Sequence, residues 1–222
     1  MAKTKKQNPW LLTAFLLVEA ALYALILTGR WVVSAQYASI LLCVAFVVAH
    51  LRRANYYLLG GLLFTAVADW FLVVQRPQEK LTAMLFFLGA QTIYAVLLHN
   101  RARARGLVTA RILLVVMAEA VTVLVLRGGM DALAGVSMAY YATLVMNIVC
   151  AFGSYKREPL LAWALVLFLL CDTVVGLQVA SVGYFILPAW LNNALFCGFP
   201  LDWLFYLPSQ VMIAVCARQN RR

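Results

Sequence analysis

Charge is what this sequence has least of. Of its 222 residues only 12% are Asp, Glu, Lys or Arg, and just eight are acidic. Soluble domains carry about a quarter charged residues. Here 65% of the chain is hydrophobic and the mean hydropathy is +0.90. One soluble core could not bury that much apolar surface, so lipid must be the solvent. Familiar catalytic signatures are missing too. No GxSxG, HExxH or Walker loop occurs, so serine-hydrolase, zincin and NTPase chemistry have no support. The five cysteines show no CxxC or Cys/His spacing, which argues against a disulfide framework and a zinc site. Neither a metal nor a cofactor is expected. No secretory signal with a small-residue cleavage site is visible, so the first apolar run is expected to be retained.

What the sequence does have is long apolar runs. A helix needs about 20 apolar residues to cross a bilayer. Eight stretches qualify: Trp10–Leu27, Trp31–Ala49, Tyr56–Val74, Leu81–Leu98, Leu107–Leu126, Leu133–Phe152, Leu160–Val179 and Leu201–Ala217. The expected fold is all-α, a polytopic membrane protein with eight transmembrane helices forming a single domain over residues 1–222. A basic N-terminus (1–9), an apolar outer loop (181–200) and a basic C-terminus (218–222) complete it. The net charge of +10 does not imply nucleic acid, because the basic residues fall in short clusters between the runs. With both termini cytoplasmic, only Arg30, Arg76, Lys80 and Arg127 of the 18 lysines and arginines face outside, as the positive-inside rule requires. A ninth span over Ser181–Phe199 would break that asymmetry, so this stretch reads as an outer interfacial or re-entrant loop. Trp31, Tyr56, Tyr57 and Trp203 fit aromatic belts. A short chain with sparse loops fits the bacterial inner membrane.

The two halves carry related strings. LLFTAVADWFLVVQ in the third run can be set beside LVLFLLCDTVVGLQ in the seventh, and LGAQTIYAV beside LPSQVMIAV. Duplication would make each half a four-helix unit of the same orientation.

The scarce acids are the informative residues. Glu19, Asp69, Glu119 and Asp172 lie inside apolar runs, where an ionised side chain costs at least about 2.5–3.5 kcal/mol. Asp69 follows Arg53 by 16 residues and Asp172 follows Arg157 by 15, so the two aspartates are expected at nearly one depth. Gln91 and Gln210 return at a similar level in the helices that follow. Tyr94 and Tyr206 share a helix face with these glutamines, and either line the same cavity or pack the core. Two neighbouring carboxylates do not both ionise easily, which divides them into an acid and a base. The structural alternative makes each aspartate a hydrogen-bonded tie between helices. For Glu19 and Glu119 that is the preferred reading, with Asn147 as the expected partner of Glu119.

The motifs LLFTAVAD (Leu62–Asp69), FLGAQTIY (Phe87–Tyr94), LFLLCD (Leu167–Asp172) and YLPSQVMIA (Tyr206–Ala214) resemble, in order and spacing, those of the YhhN family of eight-span membrane lysoplasmalogenases. The resemblance runs from about Tyr56 onward. Gln91 stands where that family has His, Cys171 where it has Ser, and Thr65 and Ala68 where it has Ser and Gly. The resemblance implies hydrolysis of the vinyl ether bond of a lysoplasmalogen, giving a fatty aldehyde and a glycerophospho-headgroup. Asp69 and Asp172 would be the catalytic pair, and Gln91, Gln210, Tyr94 and Tyr206 would contact substrate or water. Partners would be the lysophospholipid substrate and membrane lipid. Two alternatives stay open: a small proton-coupled transporter, and a non-catalytic membrane protein whose acids tie helices together.

Overall fold

In lipid, every backbone N–H and C=O must find its partner within the protein, which leaves an apolar run the α-helix. The computed structural model describes residues 9–30, 32–51, 55–102, 106–126, 131–154 and 159–219, and among these there is no strand. The helices are α1 (Pro9–Leu27), α2 (Val32–Ala49), α3 (Tyr56–Asp69), α4 (Lys80–Ala102), α5 (Leu107–Leu126), α6 (Ala132–Gly153), α7 (Pro159–Gly183), α8 (Ala189–Leu195) and α9 (Leu201–Gln219). A π-helical turn, Trp70–Val74, continues α3.

Seven of these, α1 to α7 with the π turn counted into α3, are long and apolar enough to cross a membrane. Helix α9 occupies the eighth expected stretch and has 19 residues. It falls outside the seven because it carries Asp202, Pro208, Ser209 and Gln210. Ser209 and Gln210 are fully buried, so the bundle rather than lipid receives this polarity. The apolar outer stretch is no ninth span. It holds the end of α7, a break at Pro188 and the seven-residue α8. Most of the expected basic clusters, including Lys3, Lys5, Lys6, Arg52, Arg53, Arg103, Arg105, Lys156, Arg157, Arg221 and Arg222, lie outside the described residues, as does Trp31.

Six helices close a ring. Going round it, α2 packs on α3, α3 on α4, α4 on α6, α6 on α7, α7 on α9, and α9 on α2. Helix α1 sits outside the ring against α2 and α9, and α5 sits outside it chiefly against α6. Exposure follows this placement. Thr122 is the one buried residue of α5, whose valines, leucines and isoleucine present a broad apolar face. The ring interior holds the core, including Leu62, Phe87, Tyr94, Leu144, Leu165, Phe168, Tyr206 and Ile213.

Glycine sets the closest approach. A Cβ on Gly61 would fall 2.2 Å from the ring of Tyr94, and one on Gly89 would fall 2.5 Å from the ring of Phe64. These two contacts interlock α3 and α4 and fix their register. Trp203 departs from the expected aromatic belt. It is buried and packs edge-on against Tyr206, ring centroids 5.0 Å apart, because it faces the ring interior.

Candidate active site

Asp69 is the last α-helical residue of α3, and the ladder shifts to π geometry immediately after it, with Gln75 N–H donating to Trp70 O. Such single π turns recur at functional sites, since the extra residue re-aims the side chains beside it. Asp69 is enclosed, 3% exposed. Its Oδ2 accepts a 2.6 Å hydrogen bond from the hydroxyl of Tyr206 on α9. Asp172, just past the middle of α7, is only partly buried. Its Oδ2 accepts from the hydroxyl of Tyr140 on α6, which is itself buried. Each carboxylate is thus held by one tyrosine from another helix.

An aromatic wall joins the two tyrosines. Phe168 stacks edge-on to Tyr206 at 5.5 Å and to Phe87 at 6.1 Å, and Phe87 lies 6.0 Å from Tyr140. All four rings are buried, so the wall gives the carboxylates a low-dielectric surface. The other oxygen of each carboxylate remains for a proton, a water or a ligand.

The glutamines occupy a deeper level. The α3–α4 register, Gly61 against Tyr94 and Gly89 against Phe64, sets Asp69 opposite the turn before Phe87. Gln91 therefore lies about 9 Å below Asp69 at 1.5 Å per residue, not beside it. Gln210 is one turn below Tyr206. Gln91 is fully buried, and both its backbone oxygen and its Oε1 accept from Asn147 Nδ2 at 2.9 Å. Asn147 Oδ1 in turn accepts from Arg111. The expected Glu119–Asn147 pair does not form, because α4 and the start of α5 supply the partners of Asn147. Both side-chain atoms of Gln210, Gln91 Nε2, Ser209 Oγ and Tyr94 OH are buried with no protein partner. Buried polar atoms in native proteins are normally satisfied by protein or water, so this column below the aspartates is suited to water or to a polar group.

The YhhN family profile matches residues 29–216. The chain belongs to the YhhN family. Neither the curated proteins nor the solved structures include a match to it. The matched region takes in both aspartates, both tyrosines and the aromatic wall of this YhhN family member.

Tyr140 escaped the sequence reading. It sits in a run of small and apolar residues on α6, and only its spacing to Asn147, two turns apart on one face, hints that it points inward. Glu19 lies apart from the site. It is 2% exposed and accepts from Ser39 at 2.6 Å and from the Cys43 thiol, a closed tie between α1 and α2. Among the described residues no group of His, Cys, Asp and Glu has the geometry to hold a metal ion.

Proposed function

We propose that the chain is a vinyl ether hydrolase acting on lysoplasmalogens, with Asp69 and Asp172 as its acid–base pair. The observation that carries this reading is two membrane-embedded carboxylates, each fixed by one tyrosine hydroxyl, at the ends of one aromatic wall. Family membership supports it. A vinyl ether is hydrolysed by proton transfer to its outer alkene carbon, which leaves an oxocarbenium ion. A carboxylate stabilises that cation, much as in glycosidases. Water then adds to the cationic carbon, losing a proton to the base. The resulting hemiacetal collapses to an aldehyde and the free glycerol hydroxyl. Asp172, the more open of the two, meets the alkene, while enclosed Asp69 keeps its proton or charge out of contact with lipid. Gln210 and Gln91 order water below the pair, and Tyr94 closes the bottom of that column.

In this reading α9 is the eighth span, both termini are cytoplasmic, and the membrane is the bacterial inner membrane. The pairings of α1 to α4 (α1 on α2, α2 on α3, α3 on α4) are paralleled by α5 on α6, α6 on α7 and α7 on α9, which supports an ancestral duplication. No metal or cofactor enters the scheme.

The test is aldehyde release from lysoplasmalogen by the protein purified in detergent. Asp69→Asn and Asp172→Asn should each lower the rate by about 10²–10⁴-fold, the usual contribution of a positioned acid or base. Retained activity in both variants would remove the pair from the mechanism. Absent aldehyde from the unmodified chain, with lipid flux across proteoliposomes, would favour the carrier.

A further inference from the structure

One cation in the bundle is unexplained by the chemistry above. Arg111 lies in the second turn of α5, within a membrane-crossing helix. An arginine near a helix end ordinarily extends to the water interface. Arg111 instead turns inward, donating to Asn147 Oδ1 at 2.7 Å and to Cys150 Sγ at 3.4 Å. Among the described residues no carboxylate pairs with it. Its Nε–H is buried and has no partner.

The relay Gln91–Asn147–Arg111 is one-sided in its chemistry. Asn147 uses its oxygen on Arg111 and its amide nitrogen on Gln91. The groups left over are Gln91 Nε2 and Arg111 Nε, both donors and both buried. Unmet donors around an unneutralised guanidinium are what an anion satisfies, and the planar fork of arginine suits a phosphate. Packing leaves the place accessible. Helix α5 leans chiefly on α6, whereas α1 touches both α2 and α9. Helix α5 makes no comparable packing on α4, and Arg111 is only partly buried.

We propose that Arg111, oriented by Asn147, binds the phosphate of a single-chain glycerophospholipid that enters between α4 and α5. This deepens, and for the identity of the lipid rests on, the hydrolase reading above. The spacing supports it. Tyr140, which holds Asp172, precedes Asn147 by seven residues on α6, about 10 Å along the axis. The glycerol unit that separates an ether-linked chain from its phosphate, together with the reach of the arginine, bridges that interval. The reacting bond then lies at the aspartates while the phosphate stays at the inner end of the bundle.

Equilibrium binding to the purified protein in detergent tests this without turnover. The probes are an ester lysophosphatidylethanolamine, the monoacylglycerol of the same chain, and inorganic phosphate. The lysophospholipid should bind about tenfold to a hundredfold tighter than the monoacylglycerol, the worth of hydrogen bonds to a charged group. Arg111→Gln should abolish that preference and Arg111→Lys should keep part of it. Asn147→Asp places a carboxylate against the guanidinium, so it should hold α5 in place yet remove the preference. A purely structural arginine predicts an unchanged preference in Asn147→Asp, and that result would overturn the proposal, as would an equal preference in Arg111→Gln. Inorganic phosphate that displaces the lipid at comparable concentration would overturn the lipid assignment. An unmodified chain that binds the lysophospholipid with this preference yet releases no aldehyde from lysoplasmalogen would count against the hydrolase reading alone.

Discussion

At the scale of the residue, the site is defined by what holds each carboxylate. A carboxylate in a dry bundle needs a donor on the oxygen that is not reacting, and each aspartate has one tyrosine for that purpose. Removing the hydroxyl while keeping the ring leaves the aromatic wall intact and one carboxylate oxygen bare. Hydrogen bonds to charged groups are worth about 1.5–3 kcal/mol. Tyr206→Phe and Tyr140→Phe should therefore lower kcat for aldehyde release by about tenfold to a hundredfold, with KM little changed. A larger change in KM than in kcat would make the tyrosines substrate contacts instead of positioning residues. The acids were legible in the sequence because a charge inside an apolar run is expensive and therefore conspicuous. The tyrosines were only half legible. Tyr206 sits one turn before a polar residue in a recognisable motif, but Tyr140 lies among alanines and leucines, where a tyrosine is ordinary core. The level of Gln91 could not be read from counting alone. The end of α3 and the start of α4 are joined by a π turn and a short loop, and the interlocking glycines set their register.

At the scale of the element, the α3–α4 pair is the stiffest part of the site. Gly61→Ala would drive a methyl group into the buried Tyr94 ring. Overpacking of this kind costs about 1–3 kcal/mol, so the melting temperature in detergent should fall by several degrees. Pairing it with Tyr94→Leu should restore part of the loss, which a general helix-propensity effect of Gly61→Ala would not allow. A second element is tied at its end. Asp131 caps α6, accepting from Ala134 N–H at 2.7 Å and from the Tyr184 hydroxyl at 2.9 Å. These donors hold its carboxyl below the usual carboxylate range. A depressed value in the folded state means stability that is present above the unfolded value and lost as pH falls through the folded one. Thermal stability should thus drop on acidification below the usual carboxylate range, and less so in Asp131→Asn, which keeps an acceptor but does not titrate. A drop of equal size in both would exclude this cap as its source. Helices were the most legible feature of the chain, since lipid permits little else to an apolar run. The described helices begin and end within a few residues of the runs seen in the sequence. Only α9 differs in character, because its buried Ser209 and Gln210 dilute the apolar signal that its neighbours carry.

At the scale of the whole molecule, sidedness remains the claim with the widest consequences, and one native residue reports on it. Of the five cysteines, Cys43, Cys150, Cys171 and Cys216 are buried, and Cys197 is exposed. Cys197 lies in the stretch after α8, among exposed Phe196 and Phe199. With the termini cytoplasmic and eight crossings, that stretch faces outward. A membrane-impermeant maleimide added to intact cells should therefore attach one label per chain, and Cys197→Ser should abolish it. In the Cys197→Ser background, Arg222→Cys should react only after the membrane is opened. Seven crossings, with α9 lying off the membrane axis, would leave the C-terminal thiol on the same side as position 197, and both would react in intact cells. The reverse orientation would shield position 197 and expose position 222. The result also decides the leaflet from which substrate is drawn. Arg111 lies at the end of the bundle opposite Cys197, so an outward Cys197 puts Arg111 at the cytoplasmic leaflet. Lysolipid delivered to that leaflet of oriented vesicles would then be the faster substrate.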